Sequence, residues 1–324
     1  MTSNQINLVG GSGFIGTRYA YLLDGANKNF CIIDKVISKS FPKQSRIADV
    51  RDQAALEEGI IEGAPLVNLA AEHQDNVRPL SLYEEVNVQG AKNLCAVATR
   101  KKIKTIVFTS SVAVYGFAAP GTDESGKIAP FNEYGRTKYA AEEIFSAWQA
   151  QDPQERTLVI IRPTVVFGEG NRGNVYNLLR QIAKKRFVMV GNGLNRKSMA
   201  YVENIAAFID RAISFPPGAH VFNYVDSPDY SMNELVLSVK SFLGFDPKSM
   251  VRIPKFLGLC IGKGFDLVSL LAKKQFPISE IRIKKFCANS TYSTSITRDL
   301  FVAPVALEAA LKKTVVYEFG ADLK

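Results

Sequence analysis

I-N-L-V-G-G-S-G-F-I-G, residues 6–16, joins a short apolar run to a glycine-rich turn. Ile6–Val9 reads as a strand, and Tyr19, Leu22 and Leu23 open a helical pattern beyond it. Gly10, Gly13 and Gly16 keep G-x-x-G-x-x-G spacing. That spacing lets backbone N–H groups at a helix N-terminus approach a diphosphate. A plain strand-to-helix turn is the alternative, so the context decides.

The context is a run of alternating elements. Phe30–Ile33 forms a second strand ending at Asp34, about 20 positions beyond the glycines, where an acidic side chain suits a ribose diol and repels a 2′-phosphate. That favours NAD over NADP, although Lys35 follows at once. A-D-V-R-D (Ala48 to Asp52) ends a short third strand. Asp49 there is either a contact for the adenine amino group or a turn residue. Leu66 to Ala71 is a fourth strand whose small Ala70 and Ala71 leave room for a cofactor. His73 follows at the strand end, where doubly wound folds place ligands, or is a solvent-exposed loop residue. Residues 81–102 form a long helix that turns Asn87 toward the sheet. Thr105 to Ser111 is the fifth strand, 132–150 a helix, Leu158 to Ile161 the sixth strand, and Val221 to Val225 a seventh. Strands alternating with helices of this length predict an α/β fold with a doubly wound parallel sheet. The texture changes after Gly170 and is irregular beyond Asp226. The expected division is a cofactor domain of 1–170 and 198–226, with a smaller, partly interleaved substrate domain of 171–197 and 227–324.

The chemistry is expected between T-S-S-V-A-V-Y-G (Thr109 to Gly116) and Y-G-R-T-K (Tyr134 to Lys138). Tyr134 and Lys138 are four apart and share a helix face. A phenol beside a fixed ammonium favours its anion, so the Tyr134 pKa is expected to fall, making it a base. Ser111, closing the apolar run, can bond the same substrate oxygen.

Composition limits the alternatives. The 324 residues are 47% hydrophobic and 22% charged, enough for one or two packed domains. The formal charge of +9 suggests an anionic partner, but no nucleic-acid motif accompanies the scattered basic residues. Four separated cysteines read as free, buried thiols in a reducing cytoplasm, and two histidines argue against a metal site. Neither a signal peptide nor an apolar run long enough to span a bilayer is visible. Lys255 to Phe276 is strongly apolar yet carries Lys255, Lys263, Lys273 and Lys274. It reads either as a buried helix or as an element dipping into an anionic membrane surface.

G-G-S-G-F-I-G with Asp34, A-D-V-R-D, N-L-A-A, T-S-S-V-A-V-Y-G, Y-G-R-T-K, R-P-T-V-V-F-G and Y-V-E-N-I-A occur in the order and spacing of the extended short-chain dehydrogenase/reductases. More narrowly, the chain resembles the NAD-dependent sugar epimerase/dehydratase family. The resemblance implies a Rossmann fold, bound NAD, a homodimer, and a catalytic triad of Ser111, Tyr134 and Lys138. It implies cofactor contacts at Gly10, Gly13, Phe14, Ile15, Asp34, Asp49, Val50, Ala70, Ala71, Asn87, Tyr134, Lys138 and Pro163. Sugar 4,6-dehydratases have Thr-Asp-Glu where this chain has Ser111-Val112-Ala113, and Val112 and Ala113 supply neither acid nor base for elimination. The pattern therefore resembles 4-epimerases. Soluble UDP-hexose epimerases carry an Asn just after the sixth strand, where this chain has Thr164-Val165-Val166. A-A-E-H-Q-D-N-V-R-P, N-R-G-N-V-Y-N-L-L, K-S-M-A-Y-V-E-N-I and R-I-K-K-F-C-A are similar to bacterial epimerases acting on N-acetylglucosamine linked by diphosphate to undecaprenol, in O-antigen biosynthesis. That implies a lipid-linked sugar diphosphate held by His73, Ser111 and one of Arg172, Arg196 or Lys197, at the cytoplasmic face of the inner membrane. A soluble UDP-sugar 4-epimerase, an NAD(P)-dependent 4-ketosugar reductase and a non-catalytic NAD sensor are the rivals.

Overall fold

The computed structural model describes residues 5–74, 77–246, 250–272 and 280–320. Its main sheet is parallel, in the order β10-β6-β5-β4-β1-β2-β3. The strands are β1 (Gln5–Val9), β2 (Asn29–Asp34), β3 (Ser45–Ile47), β4 (Leu66–Asn68), β5 (Thr105–Thr109), β6 (Thr157–Pro163) and β10 (Gly218–Tyr224). The order reverses between β1 and β4, and ligands of such sheets sit outside the carboxyl ends of the strands at that point. Strands buried on both sides explain the unbroken apolar runs, such as fully buried Leu158, Val159 and Ile161 of β6.

Helices cover both faces. α1 (Phe14–Gly25) and α7 (Val202–Ala212) pack together on one side, with Tyr19, Leu23, Ile205 and Phe208 in the shared core. On the other side lie α2 (Gln53–Gly59), α3 (Ser81–Tyr83), α4 (Gly90–Arg100) and α5 (Glu133–Ala150), which contribute Leu56, Leu94, Val97, Phe145 and Trp148. The expected 81–102 helix is interrupted. Glu84–Gln89 forms a π-helical stretch between α3 and α4, and Asn87 lies in it. The fourth strand ends earlier than expected, at Asn68, because the Asn68 side chain accepts the Ala70 N–H at 3.1 Å and turns the chain. The fifth strand likewise ends at Thr109.

The region beyond Asp226 is more regular than its sequence suggests. β7 (Val165–Phe167), β9 (Arg196–Tyr201) and β11 (Asp226–Ser231) form a three-stranded sheet, and β8 (Val188–Val190) pairs with β12 (Val251–Ile253). α6 (Asn174–Ala183), α8 (Met232–Phe242) and α11 (Leu307–Phe319) enclose a third core around Leu179, Val236 and Leu311. α9 (Lys255–Ala272) packs on α10 (Glu280–Cys287). Residues 273–276 of the apolar Lys255 to Phe276 segment, with Lys273 and Lys274, lie outside the described residues. Among the described residues no helix is long and apolar enough to cross a membrane. All four cysteines are free, but only Cys31 is buried: Cys95 and Cys287 are half-buried and Cys260 is exposed.

Candidate active site

α5 starts where Asn132 caps it, its side chain accepting the Gly135 N–H at 2.9 Å. Tyr134, Lys138 and Glu142 follow at four-residue spacing and share one face. Opposite them lies the end of β5. Lys138 Nζ donates to the Thr109 carbonyl at 2.6 Å, Ser110 Oγ donates to Glu142 Oε1, and the Ser111 hydroxyl is near enough to the Tyr134 phenol to favour its anion. Thr109 and Ser110 are thus each held by one side chain of the helix, and Ser111 faces a third. Ser111 Oγ also accepts the Ala113 N–H at 3.1 Å, which starts the tight turn Val112–Tyr115.

The electrostatics correct one expectation. The Tyr134 pKa is raised, not lowered: burial dominates, and the Ser111 hydrogen bond offsets only part of it. The Lys138 ammonium is turned toward the Thr109 carbonyl and lies 4.5 Å from the Phe108 ring centroid. Lys138 is 2% exposed, and burial brings its pKa down to about 7 against a smaller upward pull from Glu142. Burial, which disfavours each charged form, sets the direction of both shifts.

A buried polar chain stands behind this face. Glu142 accepts from Arg162 Nε at 2.9 Å and Nη2 at 2.5 Å. Arg162 Nη1 donates to Tyr115 Oη at 2.7 Å, Tyr115 donates to Asn223 Oδ1 at 2.8 Å, and Asn223 Nδ2 donates to the Ser293 carbonyl at 2.9 Å. The chain ties α5, β6 and β10 to the segment after α10.

On the cofactor side, Gly10 sits at φ +75°, and a Cβ there would fall 2.4 Å from Ala70 N, so only glycine admits the loop after β4. No side chain caps α1, leaving its first amides, including those of Phe14 and Ile15, to a ligand. Asp34 closes β2 and accepts the Ser12 N–H at 3.0 Å and the Val36 N–H at 3.2 Å, which fixes the carboxylate beside that turn. Asp49 is bound by Arg51 through its N–H, Nε and Nη2, which holds its carboxyl below the usual range. Val50 and Pro163 are buried, and Ala70 and Ala71 are half-buried. Asn87 accepts the Glu72 N–H at 2.8 Å and donates to the Glu72 carbonyl and to Thr137 Oγ1, which locks that loop onto α5. An uncapped helix end, a carboxylate at the second strand and a buried lysine beside a serine–tyrosine pair fit a nicotinamide dinucleotide.

The polar residues expected to touch substrate are spread more widely. His73 is exposed. Arg172 is an exposed partner of Glu318 at 2.9 Å, over the Tyr176 ring. Arg196 donates to the Asp229 carbonyl at 2.7 Å and lies 3.5 Å from Glu234. Lys197 Nζ donates to the Lys285 and Ala288 carbonyls at 2.8 and 2.7 Å, and burial brings its pKa down to about 8. It caps the end of α10 and so aims Lys285, whose ammonium lies 4.3 Å from the Phe131 ring centroid. Sequence reasoning missed Lys285, Glu142 and Arg162. Glu142 carries a signal, four residues beyond Lys138, whereas Lys285 is far away in sequence and only folding brings it near.

A seven-stranded doubly wound sheet with Ser111, Tyr134 and Lys138 at its carboxyl end defines an extended short-chain dehydrogenase/reductase. Residues 6–224 match the NAD dependent epimerase/dehydratase family. The chain belongs to that family, and its cofactor is NAD. It is 47% identical over 321 residues to the N-acetyl-alpha-D-glucosaminyl-diphospho-ditrans,octacis-undecaprenol 4-epimerase of Escherichia coli O157:H7, covering 98% of this chain and 96% of that one. It is 28% identical to a UDP-glucose 4-epimerase of Vibrio cholerae, over 86% and 88% of the two chains. The fold matches the UDP-glucose 4-epimerase of Thermotoga maritima solved with UDP-glucose, with TM-score 0.75 and 20% identity over 99% and 100% of the chains.

Proposed function

We propose that this chain is a sugar 4-epimerase that interconverts N-acetylglucosamine and N-acetylgalactosamine on undecaprenyl diphosphate. The observation that carries the reading is the Ser111–Tyr134–Lys138 cluster beside Val112 and Ala113. Oxidation at carbon 4 is catered for, while the acid and base of a dehydration are not. NAD, when bound, takes up the hydride, returns it, and brings a cationic ring whose charge favours the phenolate. Tyr134 accepts the proton of the sugar 4-hydroxyl and later gives it back. Ser111 holds the same oxygen, and Lys138, fixed by the Thr109 carbonyl, sets its amine under the site. Carbon 4 would be inverted if the 4-keto sugar turned its other face to the reduced cofactor while Tyr134 and Ser111 held its oxygen.

The 47% relative supports the lipid-linked substrate. The apolar Val165 and Val166, where a UDP-hexose grip carries Asn, support it too. The ammonium of Lys285, whose backbone carbonyl Lys197 holds, supplies positive charge for a diphosphate beside Phe131. The substrate-binding part is assigned to 171–197 and 227–324. α9 supports a peripheral membrane contact: Gly258 abuts Val190 and Gly262 abuts the Glu280 backbone, while Phe256, at 77% exposed, Leu257 and Ile261 are exposed beside Lys255 and Lys263. Peripheral contact with the cytoplasmic face of the inner membrane, and a homodimer through α4 and α5, complete the reading. Sedimentation velocity tests the dimer.

The test is product analysis. Undecaprenyl-diphosphate-linked N-acetylglucosamine should equilibrate with its epimer without added NADH, and UDP-N-acetylglucosamine should turn over far less. Tyr134→Phe should abolish epimerisation and keep bound NAD. Preference for the UDP-sugar, or consumption of NADH with no epimer formed, would overturn the assignment.

A further inference from the structure

Two aromatic side chains beside the triad remain unused by this chemistry. Phe117 is 63% exposed and Phe131 is 43% exposed, although both are large and apolar. Their rings pack against each other, with centroids 4.8 Å apart and planes tilted by 33°. Phe117 follows the tight turn that Ser111 opens, and Phe131 precedes the cap of the helix bearing Tyr134. The two loops are in backbone contact. A Cβ on Gly116 would lie 2.0 Å from the Ala129 carbonyl oxygen, and one on Gly135 would lie 2.5 Å from that of Ala113. The two loops that carry the rings are therefore held against each other beside the catalytic hydroxyls. Lys285 forms a third wall, its ammonium 4.3 Å from the Phe131 centroid and its backbone carbonyl held by Lys197.

We propose that Phe117 and Phe131 bind the first isoprene units of a prenyl diphosphate chain as it leaves the catalytic site. The proposal rests on the lipid-linked reading above and names where that lipid runs. An ammonium against an exposed aromatic pair suits a molecule with an anionic head and an apolar tail. The chemistry of the substrate has the same order: sugar at Tyr134, diphosphate next, hydrocarbon beyond it. The rings touch, so they leave no slot for a flat nucleobase between them, and their outer surface offers hydrocarbon contact instead.

The test compares substrates of different chain length in detergent solution, where membrane partition plays no part. Phe117→Ser and Phe131→Ser are assayed with N-acetylglucosamine diphosphate carrying either undecaprenyl or a methyl group. The KM for the undecaprenyl substrate should rise roughly tenfold or more relative to the change with the methyl substrate, the size of losing an apolar wall from a pocket. Phe131→Leu should recover most of the loss, because aliphatic surface also packs on isoprene. Melting temperature and bound NAD report on folding. Equal losses on both substrates would mean that the rings merely support the catalytic loop and would overturn the proposal, as would no change on either. Wild-type protein inactive on both substrates but active on UDP-N-acetylglucosamine would instead refute the lipid-linked reading itself. A raised KM for UDP-N-acetylglucosamine in the serine variants would then assign the rings to the nucleotide.

Discussion

Replacing Glu142 by Gln removes one charge from a buried pair and leaves the other behind. The side chains of Arg162 and Glu142 are 7% and 4% exposed, so neither charge can turn to water. Two guanidinium N–H groups and the Ser110 hydroxyl point at the carboxylate. A glutamine keeps one oxygen for Ser110 and presents an NH2 group to a guanidinium. Breaking a buried pair from one side costs about 3–5 kcal/mol, because the remaining ion is uncompensated. A large domain loses roughly 2–4 °C of melting temperature per kcal/mol, so Glu142→Gln should melt about 10 °C lower. Glu142→Gln with Arg162→Met removes both charges. Tyr115 still donates to Asn223, so that link survives. The double variant should recover most of the lost stability, since neutral replacement of a buried pair is often close to neutral. Differential scanning calorimetry of the parent, Glu142→Gln, Arg162→Met and the double variant completes the cycle. A Glu142→Gln protein as stable as the parent, or a double variant no better than the single, would refute the reasoning.

Gly10→Ala should cost about 1–3 kcal/mol and abolish NAD retention, since its Cβ falls 2.4 Å from Ala70 N at a positive φ; bound cofactor measured after purification checks this. Thr137→Val strips the 2.9 Å acceptor from the Asn87 amide and should destabilise by about 1–3 kcal/mol in urea unfolding. Lys138 has a folded pKa of about 7 against a reference of 10.5, so the unfolded chain binds more protons between those values. Its contribution to unfolding free energy therefore rises with pH across that window, and Lys138→Met should flatten the rise when unfolding is followed at several pH values. Phe256→Ser with Ile261→Ser should weaken binding to vesicles containing anionic lipid while leaving the melting temperature within a few degrees, because both side chains are already exposed.

The parallel sheet was legible because strands buried on both faces must be continuously apolar, and the runs around Leu8, Ile32, Val107 and Ile160 are. The Tyr134 and Lys138 pairing was legible because helical spacing alone puts both on one face. Strand ends were less so. β4 stops where the Asn68 side chain turns the chain, a local hydrogen bond that competes with the ladder. The segment beyond Asp226 lacks clean periodicity because its elements share a core with residues far earlier in the chain, among them Phe167, Leu179 and Tyr201.

Local spacing by itself determined the glycine turn, Asp34 at the end of β2, the shared helix face of Tyr134 and Lys138, and the lack of an acid at Val112 and Ala113, since each depends only on neighbours in sequence. Tertiary structure decided the rest. It set the sign of the Tyr134 shift, because desolvation depends on what covers the phenol. It committed Lys197 to the carbonyls of α10 and brought Lys285 to Phe131, a pairing of residues 154 positions apart (285 minus 131) that no periodicity could announce.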